Sequence, residues 1–161
     1  MHRPRPVLAV LAVAALAGCQ KPANQLAAAP KITLTEADAI RIAHEPMADW
    51  AKKGTQALDA QYAPDAIGYA PTNVALVEGS AGFVQLNKDL LAMKFDKVDV
   101  REEKVQILSD DVFILTTSSD MKSTAGPVKS MIWRCTDVFQ RKGTAPFRTV
   151  NEHCSYPPKG P

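Results

Sequence analysis

Beyond Lys94 the hydrophobic period of the chain changes, and that change restricts the fold more than any other feature of the sequence. Val98 and Val100 alternate with charged residues, Val105 and Ile107 follow with the opposite parity, and three further runs succeed them: VFILTTSSDM, VKSMIWRCTDVFQRK and FRTVNEHCSY. Alternation at every second residue marks a strand with one buried face. Four long consecutive strands, the first two separated by Ser109-Asp110-Asp111, predict an antiparallel meander. The parity switch within the first strand requires a bulge or a transfer of its apolar side to another layer, because a one-residue slip otherwise turns every side chain over. Such a sheet has a face to bury, and the preceding residues must cover it.

Those residues read as helical. Thr35 with Asp38, or Thr33 with Glu36, starts a helix that carries Ala37, Ile40 and Ala43. Pro46 predicts a break or kink near His44. From there Met47, Trp50, Ala51, Ala57, Leu58 and Tyr62 recur at the spacing of one buried face, with Gly54 weakening the middle and Pro64 ending it. The stretch 70–79, APTNVALVEG, reads as extended. Ser80 then caps a helix whose Phe83, Leu86, Leu90 and Met93 form a core stripe.

The N-terminus stands apart. Arg3 and Arg5 precede an uncharged apolar run from Val7 to Ala17, which is too short for a membrane-spanning helix and has the pattern of an export signal. Its end, Leu16-Ala17-Gly18-Cys19, resembles the bacterial lipobox, which implies cleavage before a lipidated Cys19. An ordinary secretory signal with an incidental cysteine is the alternative. Residues 1–18 are thus expected to be a lipoprotein signal peptide and 19–32 the lipidated cysteine and a flexible tether. A domain over 33–158 and a tail at 159–161 complete the division. Gln20 after the cysteine implies, by the lipoprotein rule, the outer membrane rather than the inner, on the periplasmic side. Removing the signal lowers Lys+Arg from 19 to 17 against 17 Asp+Glu, so the mature chain is neutral and a nucleic-acid partner is not expected. A chain of 161 residues with 46% hydrophobic and 22% charged residues fits one globular domain.

The order of these elements, with DAQYAPDAIGYAP (59–71), VEGSAGFVQL (77–86), WRCTDVFQRKG (133–143) and FRTVNEHCSYP (147–157), resembles the NTF2-like superfamily, which includes SnoaL-like proteins and ketosteroid isomerases. The resemblance spans about residues 44–158. It implies an α+β, cone-shaped fold with N-terminal helices packed on a curved antiparallel sheet. Phe147 stands where the family more often has Trp, and Asn151 where it often has His.

If the third and fourth strands turn around Gly143-Thr144-Ala145-Pro146, Cys135 faces Cys154, Thr136 faces His153 and Arg134 faces Ser155. Opposed Cα atoms lie about 4.5–5.5 Å apart, within reach of a disulfide. In an exported chain whose third cysteine is acylated, Cys135 and Cys154 are expected to be bridged, the alternative being two buried free thiols. Cys154 then points away from its neighbours His153 and Ser155, so a Cys-His nucleophilic pair is disfavoured. No metal-ligand spacing joins His2, His44 and His153, and neither a metal nor a cofactor is expected.

Arg134, Thr136, Asn151, His153 and Ser155 share one face, which by the family resemblance lines the cone and binds a ligand; Tyr62, Tyr69 and Trp50 are expected to add apolar wall. A network satisfied within itself is the alternative. Catalysis needs an acid or base of shifted pKa. Asp59, Asp65 and Asp120 fall at turn-like positions and Asp137 on the disulfide face, which leaves His153 as a weak candidate and favours a non-enzyme. Three functions follow: a membrane-tethered domain binding a small, partly apolar ligand or a protein, an isomerase, dehydratase or hydrolase of the ketosteroid-isomerase or polyketide-cyclase kind, and a structural homodimer using an exposed sheet rich in residues such as Trp133 and Phe139.

Overall fold

The structure, a computed structural model, describes residues 32–48, 60–71, 75–95, 97–126 and 128–157. The signal, Cys19, most of the tether, Trp50 and Asp59 lie outside them.

Helix α1 (Glu36–Ala48) opens on Thr35, whose Oγ1 accepts from the amide of Asp38 at 3.1 Å and donates to the Asp38 carboxylate at 2.6 Å, so the first of the two alternative starts is used. The helix continues past His44 with Pro46 inside it, contrary to the expected break. Proline removes one hydrogen bond, to the carbonyl four residues back, and here that loss falls in the last turn. The buried stripe is Ala39 and Ala43, with Ile42 beside it, rather than Ala37 and Ile40. These small side chains let α1 sit close over Phe113, Leu115 and Phe139 of the sheet. The chain is tied down ahead of the helix by Asp110, whose carboxylate accepts the Leu34 amide at 2.8 Å.

Strand β1 (Tyr62–Tyr69) begins at the residue expected to end a helix, and β2 (Val77–Glu78) pairs with it antiparallel. Helix α2 (Gly79–Ala92) buries Phe83, Leu86 and Leu90 against β1, the predicted stripe. The meander follows as β3 (Lys97–Ser109), β4 (Val112–Lys122), β5 (Ser130–Gln140) and β6 (Arg148–Ser155). Its strands pair antiparallel, and β3 carries the required irregularity, between Val100 and Glu102. The sheet order is β2-β1-β6-β5-β4-β3. β1 runs parallel to β6, so the sheet is mixed where the sequence led to an antiparallel one.

Gly68 explains how β1 and β6 come together. A Cβ there would meet the Glu152 carbonyl oxygen at 1.9 Å, and Gly68 is the register partner of Glu152. The backbone of β1 thus lies directly against that of Glu152.

Candidate functional site

The β5–β6 register is the expected one: Arg134 faces Ser155, Cys135 faces Cys154 and Thr136 faces His153. Cys135 and Cys154 are joined by a disulfide. The direction of the faces is the reverse of that expected. Arg134, Thr136 and His153 are exposed and Asn151 and Ser155 half-buried, on the outer face of the sheet. The physical reason lies in the parity of β5. Trp133, Cys135 and Phe139 alternate on one side and Arg134, Thr136 and Gln140 on the other, so burial of the apolar side turns the polar one to solvent. Trp133 and Phe139 are buried, at 7% and 4% exposure, and contribute no apolar outer surface. On the outer face Arg134 donates to the Tyr156 carbonyl at 3.2 Å, and His153 meets the ring of Tyr69 edge-on at 6.0 Å. Tyr69 is thus a surface residue and no part of a cavity wall, whereas Tyr62 is buried within one.

A cavity of about 380 Å³ lies on the inner face, enclosed by α1, α2, the start of β1 and strands β3 to β6. Tyr62, Asn87, Trp133, Asp137 and Glu152 bring polar groups to it, and Leu90, Leu115, Met121 and Phe139 are among its apolar walls. The disulfide is also part of its lining. His44 reaches it from α1 and pairs with Glu103 of β3. Five buried side-chain polar atoms lack a hydrogen-bond partner among the described residues, and four of them belong to cavity-lining residues: Gln61 Oε1, Asn87 Nδ2, Trp133 Nε1 and Asp137 Oδ1. Such atoms cost about 1–3 kcal/mol each when left alone, so their concentration here makes the cavity the candidate site.

Asp137 and Glu152 are direct partners across the ladder and point to the same side. Oxygens of the two lie within 4.8 Å of each other and of the Cys154 sulfur. Because that sulfur is held in the disulfide, the trio lacks the thiolate that a metal site would use. Tyr62 donates its hydroxyl to Glu152 Oε2 at 2.7 Å. Its ring stacks on Phe83 at 4.4 Å and its carbonyl accepts from Arg148 at 3.3 Å, so the donor is fixed at both ends.

Burial, and then the charge of Glu152, push the Asp137 carboxyl well above the usual carboxylate range. Burial raises Glu152 to about 6, against the opposing effect of the Tyr62 hydrogen bond. Tyr62 is itself driven well above its ordinary value by burial and by the Glu152 charge. Asn87 beside that hydroxyl favours its ionised form, although Asn87 Nδ2 has no hydrogen-bond partner among the described residues. Burial and mutual repulsion therefore make the pair hold a proton more readily than either carboxyl would alone in water.

Asp137 shares the disulfide's face, the face opposite the expected site, and Glu152 is not among the residues expected from the sequence. The signal was present: both have the parity of Trp133 and Cys154, and an acid among apolar partners on one strand face is buried when that face is buried. Of the other acids considered, Asp65 is exposed and Asp120 is paired with Arg101 at 2.8 Å.

No family model matches the chain, and no curated protein does. Solved structures do. An NTF2-like protein of unknown function from Pseudomonas putida KT2440 is 14% identical, with a TM-score of 0.64 over 76% of this chain and 86% of that one. A ketosteroid isomerase-like protein from Erwinia carotovora atroseptica SCRI1043 is 15% identical, with a TM-score of 0.61 over 76% and 98%. The S. rosetta CaMKII hub is 19% identical, with a TM-score of 0.58 over 74% and 94%. Likeness at these identities concerns architecture, and in architecture this chain is an NTF2-like fold.

Proposed function

We propose that the domain binds a small, largely apolar molecule without negative charge, whose hydroxyl or carbonyl head is held by Asp137, Glu152 and Tyr62, and that it does so tethered to the periplasmic face of the outer membrane through Cys19. The observation that carries the binding reading is the buried, unpartnered Asp137 Oδ1 opposite Glu152 on the wall of the cavity. A protonated Asp137 donates to a ligand oxygen, and the ionised Glu152 opposes an anion; no Lys or Arg is among the described lining residues to offset it. The volume lies at the small end of ligand sites, about 300–1,000 Å³.

Calorimetry with a linear medium-chain alcohol and the fatty acid of equal length tests this at neutral pH. The alcohol is expected to bind the full chain more tightly than the acid, and Asp137→Leu to weaken the alcohol about tenfold, the worth of one buried hydrogen bond. Tighter binding of the fatty acid, or indifference to Asp137→Leu, would reject it.

A second reading is favoured by the split in proton affinity between neighbouring carboxyls, which is the arrangement that acid–base chemistry at a carbon next to a carbonyl requires. It agrees with the ketosteroid isomerase-like name of one similar structure. Deuterium exchange into a bound methyl ketone, abolished in Glu152→Gln, would select it over binding alone. Self-association would use the outer face, where Ile67 and Tyr69 are 44% and 46% exposed.

A further inference from the structure

Cavity polarity is not confined to the acid pair. Trp133 is 7% exposed, lines the cavity, and its Nε1–H has no acceptor among the described residues. Indole nitrogen is a donor only, so nothing but an acceptor can satisfy it. Ser119, its cross-strand partner on β4, is buried at 8% exposure and also lines the cavity, bringing a hydroxyl to the same place. Trp133 and Asp137 share one face of β5 with Cys135 between them. Four residues of strand place their backbones about 13 Å apart. Between the two polar places the wall is the disulfide on β5 and β6, with Thr117 of β4 opposite Cys135; Leu115 stands opposite Asp137, and Met121 lies beyond Ser119, opposite Met131. Thr117 adds one hydroxyl along that stretch.

We propose that the cavity has a second polar station, Trp133 with Ser119, and that it selects elongated two-headed molecules: a hydroxyl head at Asp137 and Glu152, an apolar middle over the disulfide, and a carbonyl or ether oxygen that accepts from Trp133 Nε1–H. This rests on the binding reading above and goes beyond it by fixing the far end of the ligand. A single-headed molecule leaves the indole donor dry and unpaired, whereas a two-headed one of the right length pairs it. A tryptophan used only for its apolar area would bury its ring with the nitrogen at solvent or on a protein acceptor, and among the described residues it does neither.

The test uses the full chain and two families of probes titrated by calorimetry: linear primary alcohols, and linear molecules of matched length with a hydroxyl at one end and a methyl ketone at the other. The hydroxyketones are expected to show a sharp length optimum at which they bind about tenfold tighter than the matched alcohol. Trp133→Phe, which keeps an aromatic ring but has no N–H, should erase that advantage, so that hydroxyketone and alcohol of the same length bind the variant equally tightly, whatever the loss of indole area does to both. Equal affinity of both families at every length overturns the second station while the acid-pair reading stands, and so does an advantage that survives Trp133→Phe. Binding of neither family overturns the acid-pair reading itself. Because the length optimum is read on the unaltered chain, a Trp133→Phe protein that does not fold leaves the inference open to rejection.

Discussion

Two carboxyl groups facing each other across β5 and β6, withdrawn from water, cannot both ionise without a large electrostatic penalty, and the fold accepts part of that penalty in order to keep them. The consequence for stability has a definite sign. Glu152 has a folded-state pKa raised from 4.5 to about 6, so it favours the folded state below about 4.5, and that contribution is lost as pH rises through about 6. Asp38, Asp99 and Asp110 are shifted downward by hydrogen bonds and cations, and their contributions are lost only as pH falls through their depressed values, a separate and more acid window. Glu152→Gln keeps an acceptor for Tyr62 and removes the charge. It is expected to stabilise the domain at pH 7 by about 1–2 kcal/mol and to give no gain at pH 4.5 or below. Denaturant titrations at the two pH values check this, and an equal loss at both would show that the carboxylate itself holds the fold together. With Glu152 neutral, Asp137 should also titrate lower than it does in the unaltered chain.

At the scale of elements, the β5–β6 hairpin carries both the disulfide and the acid pair, and here the sequence was most informative. The turn at 143–146 and strict alternation set Cys135 opposite Cys154, and the ladder observes that register. Gly143, at φ 61°, supplies the left-handed turn residue. Alternation defines two faces but does not say which is inward; only the relative apolar content of the two parities does, and Trp133, Cys135 and Phe139 against Arg134, Thr136 and Gln140 carried that information. Strand parity marks Asp137 and Glu152 as buried acids but does not reveal the site they form, since Tyr62, the partner of Glu152, comes from β1, 90 residues away and expected in a helix. The parallel β1–β6 pairing that unites them depends on the close backbone contact at Gly68, a tertiary fact without a local pattern. Reduction is expected to lower the stability of the domain by about 3 kcal/mol, since the bridge closes a separation of 19 residues. The melting temperature with and without a dithiol checks it, and an unchanged value would mean that the ladder alone holds the two strands in register.

For the whole molecule, the proposal unites a cavity that takes an apolar ligand with an anchor that keeps it beside a store of apolar molecules. Asp110, at the turn between β3 and β4, accepts the Leu34 amide and so fixes where the chain enters the domain. Cys19 precedes Leu34 by 15 positions, which extended chain could stretch to about 50 Å at most. Under the proposed anchoring, such a reach would hold the cavity within a molecular diameter or two of the bilayer. One acyl chain would bind only marginally, whereas the two or three of a lipidated N-terminal cysteine bind stably, so the proposed anchoring rests on the modification of Cys19. Cys19→Ser is therefore expected to move nearly all of the protein from the membrane fraction to the soluble fraction, or to leave it as the uncleaved precursor, while the acid pair, the disulfide and alcohol binding stay as they are. Fractionation with intact-mass measurement of the N-terminus distinguishes these outcomes. A mature chain that begins elsewhere than at residue 19, or a Cys19→Ser protein that is processed and stays membrane-bound, would remove the anchor and leave the cavity to be explained in solution.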